Sequence, residues 1–316
     1  MDVLADALAS LRLTGGVFLD GKFSAPWAVL SHIGPDDCAR FFDEPHHVIA
    51  YHFVRSGRLS CQVGDGPRVQ LKAGEIVLLP RNDPHCLYGP IECLPVDARD
   101  LMGPAGEDGL FHLRAGGAGE ATTIYCGYLG TRARDALLLQ SLPAMITVSL
   151  DAIQDDWVVK SITFAAESLG SSSPEMVGKL AEGLFAAAVR RYVEGLSPGE
   201  GGWLSGLSDP AIGKALSLIH DRYAEAWTVD MLARECGVSK TVLNDRFRAL
   251  VGESPMQYSG RWRMRKAADM LRDDRQNACS VAYSVGFNSE EAFSRAFKRE
   301  YGVPPGAWSR EQRVLG

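Results

Sequence analysis

No stretch of the 316 residues comes near the ~18 uninterrupted apolar positions that a membrane-spanning helix needs. The opening segment MDVLADALASLRL carries Asp2 and Asp6 where a secretion leader would carry basic residues, so no leader is read and a cytoplasmic protein is expected. Paired cysteines are missing as well. Cys38, Cys61, Cys86, Cys93, Cys126, Cys236 and Cys279 are odd in number and contain no C-x-x-C spacing. That excludes a disulfide frame as the expected scaffold and leaves free thiols or metal ligands. Overall positive charge is also absent: the net charge is −6, which read whole argues against nucleic acid as a partner.

The charge is unevenly divided. Residues 209–316 hold 17 Lys+Arg against 14 Asp+Glu, a net of +3, whereas residues 1–208 hold 16 against 25, a net of −9. Contact with phosphates needs only a locally basic face, so the division matters more than the sum. A hydrophobic content of 46% with 23% charged residues is ordinary for a soluble protein, and the length suggests about two domains.

The front reads as β. Short apolar or alternating runs at Trp27–Leu30, Val48–Val54, Ile76–Leu79 and Thr122–Tyr128 are punctuated by Gly57, Gly64-Asp65-Gly66, Gly74 and Pro80. Gly89–Glu120 is expected to be a long irregular excursion. Helices are expected at Arg134–Leu142 and Pro174–Glu194. The second has a broad apolar stripe that suits either packing on the front domain or a homodimer contact. SPGEGG at 197–202 reads as a linker.

The last hundred residues contain a repeat. Ser239–Pro255 laid on Ser289–Pro305, at an offset of 50, matches the serine, Phe247 with Phe297, Arg248 with Lys298, Gly252 with Gly302 and Pro255 with Pro305. Ala233–Gly237 lies on Ala282–Gly286 at an offset of 49. Two copies of one supersecondary unit account for this better than chance. Each copy is a short helix, a glycine turn and a second helix opened by a capping serine. The periodicity buries Val242, Leu243, Phe247, Leu250 and Val251 in the first copy and Phe293, Phe297 and Tyr301 in the second. A polar helix face after a tight turn is what a major groove admits. Candidate DNA-contacting residues are therefore Ser239, Lys240, Thr241, Asn244, Asp245 and Arg248, then Ser289, Glu290, Glu291, Ser294, Arg295 and Lys298. Arg295 suits guanine, Asn244 adenine, and an acidic side chain the cytosine amine, while Lys240, Arg248 and Lys298 suit phosphates. Between the copies a helix at Gln257–Leu271 carries Arg261, Arg263, Arg265 and Lys266 as a rigid connector.

The segments AREC-GVSKTVLNDRFRALVGESPMQY, WRMRKAADML and VAYSVGFNSEEAFSRAFKREYGVPPGAW resemble the DNA-binding domain of the AraC/XylS regulators over about Pro210–Arg310. The resemblance implies seven helices, with Ser239–Val251 and Ser289–Tyr301 as reading helices, and RNA polymerase as a partner of an activator. In the front domain, Gly74-Glu-Ile-Val-Leu-Leu-Pro80-Arg-Asn-Asp-Pro-His85 resembles the second cupin motif, G-x5-P-x-G-x2-H, with Asn82 in place of the glycine. The segment Tyr51–Gly57 resembles part of the first motif, whose glutamate position holds Ala50, so enzyme chemistry is not expected.

Together these readings give an α+β chain of two domains: a cupin-like sensor barrel with helices at residues 1–170, a helical interface and linker at 171–208, and an all-α domain with two helix-turn-helix units at 209–316. His52, His85, Cys126 and Cys38 form a candidate zinc site, with Cys61 or His46 as alternatives for the fourth ligand. The expected function is a transcription regulator that binds promoter DNA and senses a small molecule, a metal or a redox change. The alternatives are a cupin-type metalloenzyme with an appended DNA-binding domain, and a helix-repeat interaction module.

Overall fold

The computed structural model describes residues 3–14, 19–34, 45–106, 110–131, 137–149, 174–196, 203–273 and 276–314. They divide into two compact units, residues 7–195 and residues 196–316, and the second also takes in residues 1–6. The division falls inside the segment expected to be interface and linker.

The larger unit is built from twelve strands among its described residues: β1 (Leu19–Ser24), β2 (Ala28–Ser31), β3 (His47–Ser56), β4 (Arg58–Val63), β5 (Val69–Lys72), β6 (Glu75–Leu79), β7 (His85–Tyr88), β8 (Val96–Asp97), β9 (Met102–Ala105), β10 (Phe111–Gly116), β11 (Ala121–Thr131) and β12 (Ile146–Ser149). One sheet has the order β12-β6-β3-β11-β1-β10-β9 and the other β5-β4-β7-β2-β8. The expected cupin-like barrel is thus built, among the described residues, from two sheets sharing one core. Period-2 alternation aims Val48, Ala50 and Val54 of β3 and Ile124 and Tyr128 of β11 at that core. There they meet Val29, Leu59, Cys61 and Leu87 of the smaller sheet, with Phe23 stacked on Trp27. The glycine-rich segment 89–120 is more regular than expected. It holds β8, β9, β10 and a short helix α2 (Ala98–Leu101), because backbone partners on β1 and β2 impose strands where local propensity does not.

Asn82 stands at φ 50°, a left-handed conformation that asparagine tolerates better than most residues, which explains its use where the cupin pattern has glycine. Its amide also donates to the Ile33 carbonyl at 2.5 Å. Helix α1 (Val3–Leu11) precedes the strands, and Thr131 donates to the Leu11 carbonyl near its end. Helix α3 (Leu137–Ser141) covers part of the helix expected at 134–142; residues 132–136 lie outside the described residues. Helix α4 (Pro174–Glu194) buries Leu184, Phe185, Ala188 and Val189 and packs against β11 and β12, in keeping with the first of the two expected uses of its stripe.

The smaller unit is helical: α5 (Trp203–Ser208), α6 (Pro210–Asp221), α7 (Val229–Cys236), α8 (Lys240–Val251), α9 (Pro255–Asp273), α10 (Ala278–Ser284), α11 (Glu290–Tyr301) and α12 (Pro305–Val314). Helix α9 serves two cores. Its first half offers Tyr258 and Trp262 to α6 and α8, and its second half offers Met264, Ala267, Ala268 and Leu271 to α10–α12. No helix among the described residues is long and apolar enough to cross a membrane.

His220 of α6 lies wholly inside this unit, stacked on Trp262 at 3.7 Å. Tyr258 and Asp6 flank its ring, at 2.8 Å from Nε2 and 3.4 Å from Nδ1. A carboxylate accepts only, so Nδ1 carries the proton and the tyrosine hydroxyl donates to Nε2. Burial, reinforced by Lys266 and Arg265, holds this imidazole down to about 3. The unfolded chain binds a proton there from about pH 6.5 downward and the folded chain does not, so stability falls with pH between about 6.5 and 3. At pH 4.5 the loss should be roughly 2–3 kcal/mol relative to pH 7. Urea unfolding at the two pH values measures it, and His220→Phe, which keeps the stack, should lose most of the difference.

Candidate nucleic-acid interface

Each helix-turn-helix copy is shaped by its ends. In the first, Thr228 Oγ1 accepts from Met231 N at 3.2 Å to open α7, and Ser239 Oγ accepts from Val242 N at 3.3 Å to open α8. In the second, Asn277 Oδ1 accepts from Ser280 N at 2.8 Å to open α10, and Ser289 Oγ accepts from Ala292 N at 3.2 Å to open α11. Gly237 and Gly286 turn the chain between the helices at φ 70° and 81°, where a side chain would be strained. Gly252 and Gly302 close both second helices in the same conformation.

The buried line of α8 is Leu243, Phe247 and Val251; that of α11 is Phe293 and Phe297, with Tyr301 half-buried beside Trp308. Lys240, Thr241, Asp245 and Arg248 are exposed, as are Glu290, Glu291, Arg295 and Lys298. Asn244 and Ser294 are half-buried at the flank, and Ser239 and Ser289 hold the cap positions. Val242 differs from expectation: it is 42% exposed rather than core. Five residues from Phe247 at about 100° per residue, it lies about 140° round the helix from the buried line. The same count brings Arg246 and Ala249, both outside the expected contact set, to the exposed face. Arg246 is paired with Asp209, and Lys240 with Asp230 at 2.9 Å. Among the described residues, Thr241, Val242, Asp245 and Arg248 on one helix and Glu290, Glu291, Arg295 and Lys298 on the other stay exposed outside these two ion pairs.

The connector's cations are half-buried. Arg261 pairs with Glu253, Arg263 donates to backbone carbonyls, and Arg265 and Lys266 lie 5.8 and 5.1 Å from the Trp262 ring. These contacts brace the connector within the unit.

In the larger unit, His52 of β3 and His85 of β7 meet in the core with their Nε2 atoms 2.7 Å apart. His85 Nδ1 lies 2.9 Å from the Asp83 carbonyl, so it carries the proton; His52 Nε2–H then donates to His85 Nε2. Among the described residues, His52 Nδ1 is left buried with no hydrogen-bond partner. Burial, with each imidazole near another, lowers both histidines, His85 to about 4, so the pair is neutral at pH 7. Cys126 is the register partner of His52 on β11 and shares its face of the sheet. Cys38 lies outside the described residues. Two imidazoles on one tetrahedral zinc would stand about 3.3 Å apart, wider than this pair. Among the described residues no three His, Cys, Asp or Glu side chains converge as ligands. The described residues therefore fit a hydrogen-bonded pair better than a formed zinc site.

Comparison with known proteins gives the same two parts. A family profile described as "Cupin" matches residues 2–194, and one described as "Helix-turn-helix domain" matches residues 232–311. The chain is 34% identical over 315 residues to a putative AraC-like transcription regulator of Streptomyces lividans, covering 98% of each. It is 31% identical to a putative AraC-like transcription regulator of Streptomyces antibioticus, covering 98% of this chain and 99% of that one. To the HTH-type transcriptional regulator MtrA of Neisseria gonorrhoeae it is 27% identical, with 98% and 99% covered.

Burial also governs the thiols. Cys61 is pushed up to about 12 and Cys126 is raised too, chiefly by desolvation, so both are protonated at neutral pH, whereas Cys93 and Cys279 are exposed. Thiolate is the reactive form. Iodoacetamide should thus label Cys93 and Cys279 in the native chain and reach Cys61 and Cys126 only after unfolding, as peptide mass mapping reads; early labelling of Cys126 would contradict this.

Proposed function

The chain belongs to the AraC-like DNA-binding transcription regulators with a cupin-type N-terminal domain, and from that premise we propose that one polypeptide reads two successive major-groove segments of a single asymmetric promoter site. The observation that carries this reading is the duplicated turn: two capped helices, each anchored by buried phenylalanine and each exposing a short polar face. The outward faces differ, so the two half-sites should differ. Arg295 suits a bidentate contact with guanine, while Asp245 at the matching position of α8 suits a cytosine amine. Arg248 and Lys298, exposed nearly one turn further along, suit phosphates. RNA polymerase as the partner of a bound activator carries over from the family resemblance.

The front domain supplies the signal. Its core offers neutral imidazoles and protonated thiols, which favours an uncharged small molecule over an oxidant acting on Cys61 or Cys126. Zinc is the second reading, favoured by the convergence of His52 and His85 and the register position of Cys126. Cys38 would complete the set, and the pair would have to widen to admit the ion. The metalloenzyme alternative needs several protein ligands and an open position, of which two nitrogens converge among the described residues.

Footprinting of the full-length chain should protect about 17–20 bp on an asymmetric site, with affinity falling steeply as salt rises. Arg295→Ala should cost about 1–3 kcal/mol and relax the preference at one base pair, whereas Lys298→Ala should weaken all sequences alike and lower the salt slope by about one. Failure to enrich any bipartite sequence from a random duplex library would overturn the reading. For zinc, elemental analysis of the purified protein decides: one equivalent, lost in His85→Gln, supports it, and its absence after growth in zinc removes it.

A further inference from the structure

Two reading helices can engage one duplex only when their separation and angle match the DNA, because each base pair rotates the groove by roughly 34°. Helix α9 links the two helix-turn-helix copies, but a single helix touching each copy leaves the angle between them soft. A second brace lies elsewhere in the same unit. The loop Arg222–Trp227 joins α6 to α7 and so belongs in sequence to the first copy, yet it lands on the second.

Three independent features hold it there. The Tyr223 side chain packs against the core of the second copy, the cluster containing Phe293 and Phe297. The turn at Gly286 approaches Ala224 backbone to backbone: a Cβ at position 286 would stand 1.9 Å from the Ala224 carbonyl oxygen and 2.8 Å from its carbon. Arg263 of α9 clamps the loop from below, Nε donating to the Tyr223 carbonyl at 2.7 Å and Nη2 to the Glu225 carbonyl. The loop is itself stiff. Arg222 binds Glu225 through two bonds of 2.5 and 2.6 Å and covers the Trp227 ring at 4.6 Å, and Trp227 Nε1 donates to the Arg222 carbonyl at 3.1 Å. Trp227 is buried and leads directly into α7. Any shift of this loop therefore moves the first copy against the second.

We propose that Arg263, holding the 222–227 loop against the turn at Gly286, fixes the angular phase between the reading helices and thereby determines which spacing between half-sites the protein accepts. Arg263 is a positioning residue: its half-buried guanidinium directs its fork at the loop's carbonyls. Lysine would be a poor substitute, because one ammonium cannot hold two carbonyls in a planar fork. Gly286 acts from the other side, since any larger residue pushes the loop off its seat.

The inference rests on the two-site reading above, and the experiment separates the two. The duplex enriched by the wild-type chain from a random library is remade with one base pair inserted or removed between its half-sites, and a third duplex carries one half-site alone. Binding is measured by fluorescence anisotropy for full-length wild type, Arg263→Gln, Arg263→Lys and Gly286→Ala, each checked for wild-type helicity by circular dichroism. Wild type should lose about tenfold or more in affinity on either change of spacing. Arg263→Gln and Gly286→Ala should bind the original duplex more weakly, differ by less than about threefold among the three spacings, and match wild type on the single half-site. Arg263→Lys should fall between, and it carries the test if Gly286→Ala does not fold. Variants that bind more weakly but keep the wild-type spacing profile, or that bind like wild type throughout, would overturn the proposal while leaving the two-site reading intact. A wild-type chain indifferent to spacing would overturn both.

Discussion

A twelve-residue helix is marginal on its own in water, and the function of this chain depends on two of them standing firm with a polar face outward. What fixes each is a phenylalanine at its centre with no exposed surface, Phe247 in one and Phe293 with Phe297 in the other. Burying such a ring contributes roughly 1.5–3 kcal/mol, against fractions of a kilocalorie for an exposed ion pair on the opposite face. The rings also fix rotation about the helix axis, so they decide which side chains point outward. Phe247 is held edge-on by Tyr258, and Phe297 by Trp308, so the anchor residues are themselves braced by the connector and the last helix. Removing either ring would therefore blur the whole outward face at once, in a way that truncating any single polar contact would not.

The DNA-binding unit was largely legible in the sequence because its signals are local. Capping serines, turn glycines and a fifty-residue echo all act within a few positions of themselves, and Ser239, Gly237, Ser289 and Gly286 adopt the roles that their types suggest. Val242 departs from the expected core for an equally local reason: it is apolar in type, yet its angle from Phe247 turns it outward. The zinc candidates were half legible. The cupin-like spacing located His85, and the structure brings it to His52, but whether a thiol completes the set depends on packing between strands distant in sequence.

Features that depend on distant partners were not legible. Segment 89–120 looked irregular because its glycines and prolines have low strand propensity; pairing with β1 and β2 overrides that preference. The division of the described strands into two sheets follows from pairings that no short window records. The role of Arg263 belongs to the same class. The cations of the connector are plain in the sequence, but that Arg263 clamps the carbonyls of Tyr223 and Glu225 shows only in the fold.

The first six residues group with the helical unit at the far end of the chain, where Asp6 accepts a hydrogen bond from His220 Nδ1. A fragment cut at residue 196 to isolate the DNA-reading half would lack that carboxylate. It would leave a donor sealed between Trp262 and Tyr258 with no acceptor, at a cost of about 1–3 kcal/mol. The fragment's stability would then understate that of the intact unit, and adding back a peptide of the first dozen residues, or grafting them ahead of residue 196, is the natural way to restore it.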